Sequence, residues 1–112
     1  MSGITQRFMS RIKKFEYIKW FWKYIDEETP VLLFYEVDLE NERYATRMVE
    51  VFNDKTVKPV IEEGFDFVTD APIPMVDEIN REPEFCAEII LKAEFEEVYS
   101  SKKYKGRIEF PK

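Results

Sequence analysis

The sequence has no histidine, one cysteine and only three glycines among its 112 residues. Without imidazole the commonest general base and metal ligand is missing, and neither a Ser-His-Asp nor a Cys-His arrangement can form within this chain. Glycines at positions 3, 64 and 106 do not assemble a phosphate cradle or a dinucleotide fingerprint, so no nucleotide cofactor is expected. Cys86 has no cysteine to pair with, which excludes an intramolecular disulfide and fits a reducing, cytoplasmic compartment. Its neighbours Phe85 and Ala87 mark it as a packing thiol, not a nucleophile. The longest apolar runs, such as Val31 to Tyr35, fall far short of the roughly 20 residues that span a bilayer, so no membrane partner is expected. The spaced ligands and turn glycine of a calcium loop are absent, and no metal site is assigned. With 23 acids, a glycosidase-like carboxylate pair would arise by chance and has no diagnostic value.

What is present is core material and charge. Apolar residues form 45% of the chain and aromatics 16%, enough for a single domain despite 36% charged residues. The charge is segregated. Residues 1–24 hold six Lys or Arg and one acid, residues 25–101 hold six and twenty-one, and residues 102–112 hold five and one. An acidic middle between basic ends disfavours nucleic acid as its partner and favours a basic protein surface. The acidic clusters at Asp26, Glu27 and Glu28 and at Glu62, Glu63, Asp66 and Asp70 are the candidate contact residues. Trp20-Phe21-Trp22 between Lys19 and Lys23 has the composition of a base-stacking platform, but aromatics at strand spacing beside Asp26-Glu27-Glu28 read as core.

The basic, acid-free segment 1–14 carries Ile4, Phe8, Met9 and Ile12 at near-helical spacing and is read as an N-terminal extension. Phe15 to Tyr24 reads as a strand with Ile18, Trp20, Trp22 and Tyr24 on one face and Phe15, Tyr17, Lys19, Phe21 and Lys23 on the other. Both faces are largely apolar, so the strand needs cover on each side. Val31–Val37 and Tyr44–Phe52 read as a hairpin, with Ala45, Arg47, Val49 and Val51 alternating against their neighbours. Thr56–Ile61 contains Pro59, so this strand belongs at a sheet edge or ends beside a bulge. Residues 64–73 are irregular and fold back over the sheet. A helix runs from Pro74 to about Arg81 before Pro83, a short apolar segment covers Ala87–Ile90, and a second helix spans Leu91–Ser101. The tail from Lys102 reads as loose, with Arg107–Phe110 able to add a strand. The predicted fold is α+β: an antiparallel sheet of four to five strands with two helices packed on one face, in a single domain over residues 15–101.

The succession Phe15 to Trp22, Thr29 to Glu36, Arg47 to Phe52, Ala71-Pro72-Ile73-Pro74 with Asp77-Glu78-Ile79, Pro83-Glu84-Phe85, and Ala93 to Tyr99 resembles a family of small uncharacterised bacterial proteins. The resemblance spans residues 15–101, and some members look like immunity proteins encoded beside secreted polymorphic toxins. This chain departs from the family pattern at Asn53-Asp54-Lys55, where a turn glycine is usual, and at Leu91, where a Ser or Thr cap is common. The resemblance implies no catalytic residues. It implies a non-enzymatic immunity protein that binds and neutralises a cognate toxin, such as a contact-dependent growth inhibition nuclease, whose cationic grip suits an acidic inhibitor. The rival expectations are a small carboxylate-based enzyme or metal-dependent regulator, and an adaptor that recruits through its basic tails.

Overall fold

The computed structural model describes residues 14–23 and 26–112. Apart from Lys14, the expected N-terminal extension lies outside the described residues, as does Tyr24 at the expected end of the first strand. Five strands, β1 Phe15–Trp22, β2 Leu32–Asp38, β3 Tyr44–Val51, β4 Val57–Val60 and β5 Phe85–Ile90, form one antiparallel sheet in the order β4-β3-β2-β1-β5. Two short helices, α1 Val76–Ile79 and α2 Lys92–Tyr99, complete an α+β architecture. The aromatic and β-branched content of β1 and β2 places them in the interior of the sheet, and every residue of the central β2 is buried.

The alternation expected for β1 is what the structure shows. Phe15, Tyr17 and Phe21 enter one core cluster with Phe34, Val49, Val51, Phe95 and Val98, whereas Ile18, Trp20 and Trp22 enter another with Leu33, Tyr35, Ile73 and Ile79. Two apolar faces demand two covers, and this corrects the expected placement of the helices. α2 covers the first face through Phe95 and Val98, while α1 and the irregular segment before it cover the second through Ile79, Ile73 and Val68.

A second correction concerns β3. Its simple alternation groups Ala45 with Arg47, Val49 and Val51, but Ala45 packs on the second face with Met48. Pairing steps from Glu36↔Arg47 to Val37↔Ala45 and leaves Thr46 without a partner in the ladder. That extra residue is a β-bulge, and one inserted residue reverses which face each side chain takes.

The sheet edges are largely closed. At β4, the Val57 N–H donates to the Lys102 carbonyl at 3.0 Å, and Pro59 has no N–H to offer, as its edge position requires. At β5, the Asn80 carboxamide stands in for a neighbouring strand: Nδ2 donates to the Ala87 carbonyl at 2.9 Å and Oδ1 accepts from the Ala87 N–H at 2.6 Å. The Phe85 N–H donates to the Glu82 carbonyl at 3.2 Å. Lys55 holds a left-handed φ of 69°, at the turn where the family resemblance leads one to expect glycine, and α2 begins at Leu91 with no side-chain cap.

The tail is neither loose nor a strand. Its start is tied to the β3–β4 turn by the Tyr104 N–H, which donates to the Lys55 carbonyl at 2.8 Å. Beyond this, Tyr104, Gly106, Ile108 and Phe110 are half-buried while the residues between them are exposed. Tyr104 lies 5.7 Å from Phe34, ring to ring, and Ile108 and Phe110 join the first core cluster. Gly106 leaves room for the Tyr104 ring, since a Cβ would stand 2.5 Å from the Tyr104 hydroxyl oxygen and would displace that side chain. The strap ends with Lys112 Nζ donating to the Asn80 and Glu82 carbonyls at 3.1 Å each. Ile108→Ala and Phe110→Ala should therefore each lower unfolding stability by roughly 1–3 kcal/mol in urea titrations, the lower part of the large-to-small range because both sites are half-buried. Losses under about 0.5 kcal/mol, usual for surface positions, would mean that the tail does not cover the core.

Candidate functional site

The strands place two different surfaces at the two ends of the sheet. One end gathers the start of β1, the β2–β3 turn, the segment after β4 and the end of β5; the other gathers the β1–β2 and β3–β4 turns. Leu39, Ile61, Phe65, Met75, Ile89 and Leu91 are the large exposed hydrophobics among the described residues, and all six belong to the first end. Leu39 is joined to Lys14 there, its N–H donating to the Lys14 carbonyl at 2.9 Å. Met75 follows Pro74, whose carbonyl accepts from Arg43 Nη2 at 3.2 Å. Apolar side chains gathered on one exposed end of a small domain mark an interaction surface.

The β2–β3 turn is shaped by polar contacts that its sequence supplies. Buried Asp38 accepts the Glu40 N–H at 2.9 Å and the Asn41 side-chain amide at 2.7 Å. Glu42 and Arg43 both take left-handed backbone angles, with φ of 58° and 65°, a conformation that disfavours side chains. Compensation comes from Arg43, which donates to the Ile73 carbonyl at 2.9 Å and to Glu16 at 3.0 Å, fastening the turn to β1 and to the loop before α1. The Val68 N–H donates to the Ala45 carbonyl at 2.9 Å, and the Ala45 N–H donates to Thr69 Oγ1 at 3.1 Å, so residues 67–70 lie along the start of β3. Tyr44 and Phe67 meet at 5.5 Å between ring centres. Their pair is common to an open hollow of about 600 Å³ bordered by Glu62, Phe65, Asp66 and Asp70 and a smaller one bordered by Glu40 and Glu42. Gly64, at φ 84°, turns the chain between Glu63 and Phe65.

Of the seven acids read from the sequence as contact residues, the structure brings Glu62, Glu63, Asp66 and Asp70 together in one short exposed segment at this end. Asp26, Glu27 and Glu28 stand at the other end, about 23 Å away at the usual rise along β3. Asp26 organises its own turn. Its Oδ1 accepts from the Thr29 hydroxyl at 2.8 Å and from the N–H groups of Thr29 and Glu28 at 2.8 and 2.9 Å. The Thr29 hydroxyl is foremost in holding this carboxyl below its ordinary range. Glu27 shares a hollow with Phe52, Asn53 and Asp54 of the β3–β4 turn.

A polar cluster that sequence reasoning missed lies within the first face. Glu36, buried on β2, accepts from Tyr17 of β1 at 2.7 Å, from Thr46 of β3 at 2.7 Å, and from Arg47 Nε and Nη2 at 2.9 and 2.7 Å. Arg47 makes a second two-pronged contact with Glu96 of α2, at 2.8 and 2.7 Å, and its guanidinium carbon lies 4.9 and 4.8 Å from the Phe95 and Tyr99 ring centres. The bulge allows this arrangement, since Thr46 and Arg47 would point to opposite faces in a regular strand. The only sequence signals were a glutamate inside an apolar strand and an arginine at an inward position opposite it. Every oxygen of Glu36 and all three guanidinium nitrogens are engaged, so the cluster is a strut and not an open site.

The strut's protonation follows from its contacts. Burial pushes Glu36 up, but the hydrogen bonds from Arg47, Thr46 and Tyr17 outweigh it and hold the carboxyl at about 2. Burial, and then the bond to Glu36, push Tyr17 up to about 12. The bond from Arg47 also lowers Glu96. A carboxyl depressed in the fold contributes its stabilisation above its unfolded value of about 4.3 and loses it as pH falls towards the folded value. Stability of the native chain should therefore decline between about pH 4.5 and pH 2, and Glu36→Gln, itself less stable at pH 7, should flatten that part of the profile. Parallel pH profiles for the two proteins in urea unfolding would show that Glu36 is not the linked group.

Among the described residues no group of three or more His, Cys, Asp or Glu side chains is placed to hold a metal ion, and no helix is long and apolar enough to cross a membrane. No curated protein and no solved structure matches the chain. A family model described as a domain of unknown function, DUF6881, matches residues 16–104, from the start of β1 through α2 to the first anchor of the C-terminal strap. On that match across most of its length, the chain belongs to the DUF6881 family.

Proposed function

We propose that this chain is a non-catalytic binding protein whose apolar and acidic end docks a basic protein, with the cationic working face of a cognate toxin domain as the partner class. The observation that carries this reading is that the six exposed large hydrophobics among the described residues fall at one end, with Ile61 and Phe65 in the same segment as Glu62, Glu63, Asp66 and Asp70 and with Leu39 beside Glu40. Apolar side chains such as Phe65 and Ile61 provide the desolvated centre that binding needs, and the surrounding acids steer a cationic surface towards it while rejecting anionic ones. The two buried acids are already committed, Glu36 to the Arg47 strut and Asp38 to its turn, which favours binding over carboxylate chemistry. A nuclease toxin must present cations to hold phosphate, so an acidic protein seated on that face would exclude the substrate. The toxin assignment rests on the sequence resemblance together with this charge.

The test is co-expression with the product of the neighbouring reading frame, followed by association kinetics on the purified pair. Charge reversal at Glu62, Glu63, Asp66 and Asp70 should slow association by about tenfold or more and flatten its salt dependence, whereas reversal at Asp26, Glu27 and Glu28 should leave the rate within about twofold. Equal effects from the two sets would show steering by net charge alone. No rescue of a toxic neighbour and no complex would reject the toxin assignment.

A further inference from the structure

We propose that residues 104–112 form a latch that opens as a unit while the sheet stays folded, uncovering part of the first apolar face with Cys86 at its far end. This is independent of what docks at the acidic end. The strap is fastened at its two ends. At its start, the Tyr104 N–H donates to the Lys55 carbonyl, next to the bridge between Thr56 and Lys103 that serves as the hinge. At its finish, Lys112 Nζ donates to the Asn80 and Glu82 carbonyls. From Lys105 onwards no backbone-to-backbone hydrogen bond is formed among the described residues. The middle is held by Ile108 and Phe110, which join the first core cluster but are only half-buried. The Arg107–Glu109 contact is exposed and adds little. A segment without a ladder, held by a few partly buried side chains, belongs to the least stable part of a fold, whereas β2 is buried along its whole length. The family match, residues 16–104, stops at the first residue of the latch.

The contacts make the opening collective. The Tyr104 ring lies close against Gly106 and 5.7 Å from Phe34, ring to ring, so the first residues of the strap are seated together on the core. With no ladder between the anchors, the covering side chains keep their places only while both ends hold. Each end carries its own reporter. The Tyr104 amide reports the start through its bond to Lys55. Cys86 reports the finish: it is half-buried, packs against the same cluster as Ile108 and Phe110, and stands between Phe85 and Ala87. Those two neighbours are bonded to Glu82 and Asn80, the same residues that hold Lys112.

The test uses the full chain under native conditions with low urea, and reads hydrogen exchange of the Tyr104 amide by NMR together with labelling of the Cys86 thiol by iodoacetamide. Both rates should depend only weakly on urea, because opening the latch exposes little surface, while the slowest β2 amides follow the steep dependence of global unfolding. Phe110→Ala should accelerate both reporters by about tenfold, although Tyr104 is six residues away, and Phe110→Leu should accelerate them far less. Ile73→Val, on the second face, should speed exchange in β2 several-fold and leave both reporters within about twofold. If Phe110→Ala speeds Cys86 and not Tyr104, the strap frays from its end and the proposal fails. It fails equally if Phe110→Ala changes neither reporter, or if both keep pace with the β2 amides in urea, since the strap would then open only with the whole fold. Labelling of Cys86 in the native chain at the rate of a free thiol would show that nothing covers it and would also overturn the latch.

Discussion

The seating of α2 on the sheet depends on Arg47. A sheet apolar on both faces needs cover on both, and α2, at eight residues, is too short to hold its place by helix propensity alone. Arg47 ties it down. Its fork grips Glu36 on the sheet and Glu96 on the helix, while Phe95 and Tyr99 lie against its guanidinium. Because Glu36 also accepts from Tyr17 and Thr46, one cluster joins β1, β2, β3 and α2. Such a cluster is stable only when complete, since a buried charge that loses its partner is costly. The bulge at Thr46 is the backbone device that completes it, and the same inserted residue sends Ala45 to the second face.

With the interior charges engaged in this way, the surface is left to differ between its ends. At the β1–β2 end, Asp26 and Asp54 are occupied in shaping tight turns, each accepting backbone N–H groups. At the β2–β3 end the acids stand beside exposed Phe65, Ile61 and Leu39, over a turn whose left-handed Glu42 and Arg43 are held by bonds to β1 and to the loop before α1. Rigid scaffolding beneath an exposed apolar and acidic rim is the combination a docking surface needs, because little ordering remains to oppose binding. The closed edges serve the same selectivity: Asn80, Pro59 and the strap at Lys102 block unwanted strand pairing along most of the sheet.

Much of this was legible in the sequence where local rules act without competition. The two apolar faces of β1, the hairpin through the polar residues 38–43 and the edge position of Pro59 follow from alternation and backbone chemistry. What was not legible depended on tertiary geometry. Nothing in Tyr44–Phe52 announces a bulge, because Thr46 is an ordinary strand residue until Glu36 is placed beside it. The strap was hidden by its basic residues: Lys105 and Arg107 read as a solvated tail, although Tyr104, Ile108 and Phe110 between them reach the core. Grouping acids by composition joined Asp26–Glu28 to Glu62–Asp70, and only the strand directions set them at opposite ends. Glu36 and Arg47 were visible as charges in apolar strands, but their pairing needed the register.

The claim that the Glu36–Arg47 contact holds the Arg47 cluster together is tested most directly by a double-mutant cycle with Glu36→Gln and Arg47→Met, read by urea unfolding at pH 7. The account predicts that the double variant is less destabilised than the sum of the single variants, with a coupling of roughly 2 kcal/mol, within the range for residues of one buried network. Additive losses, with coupling indistinguishable from zero, would contradict it.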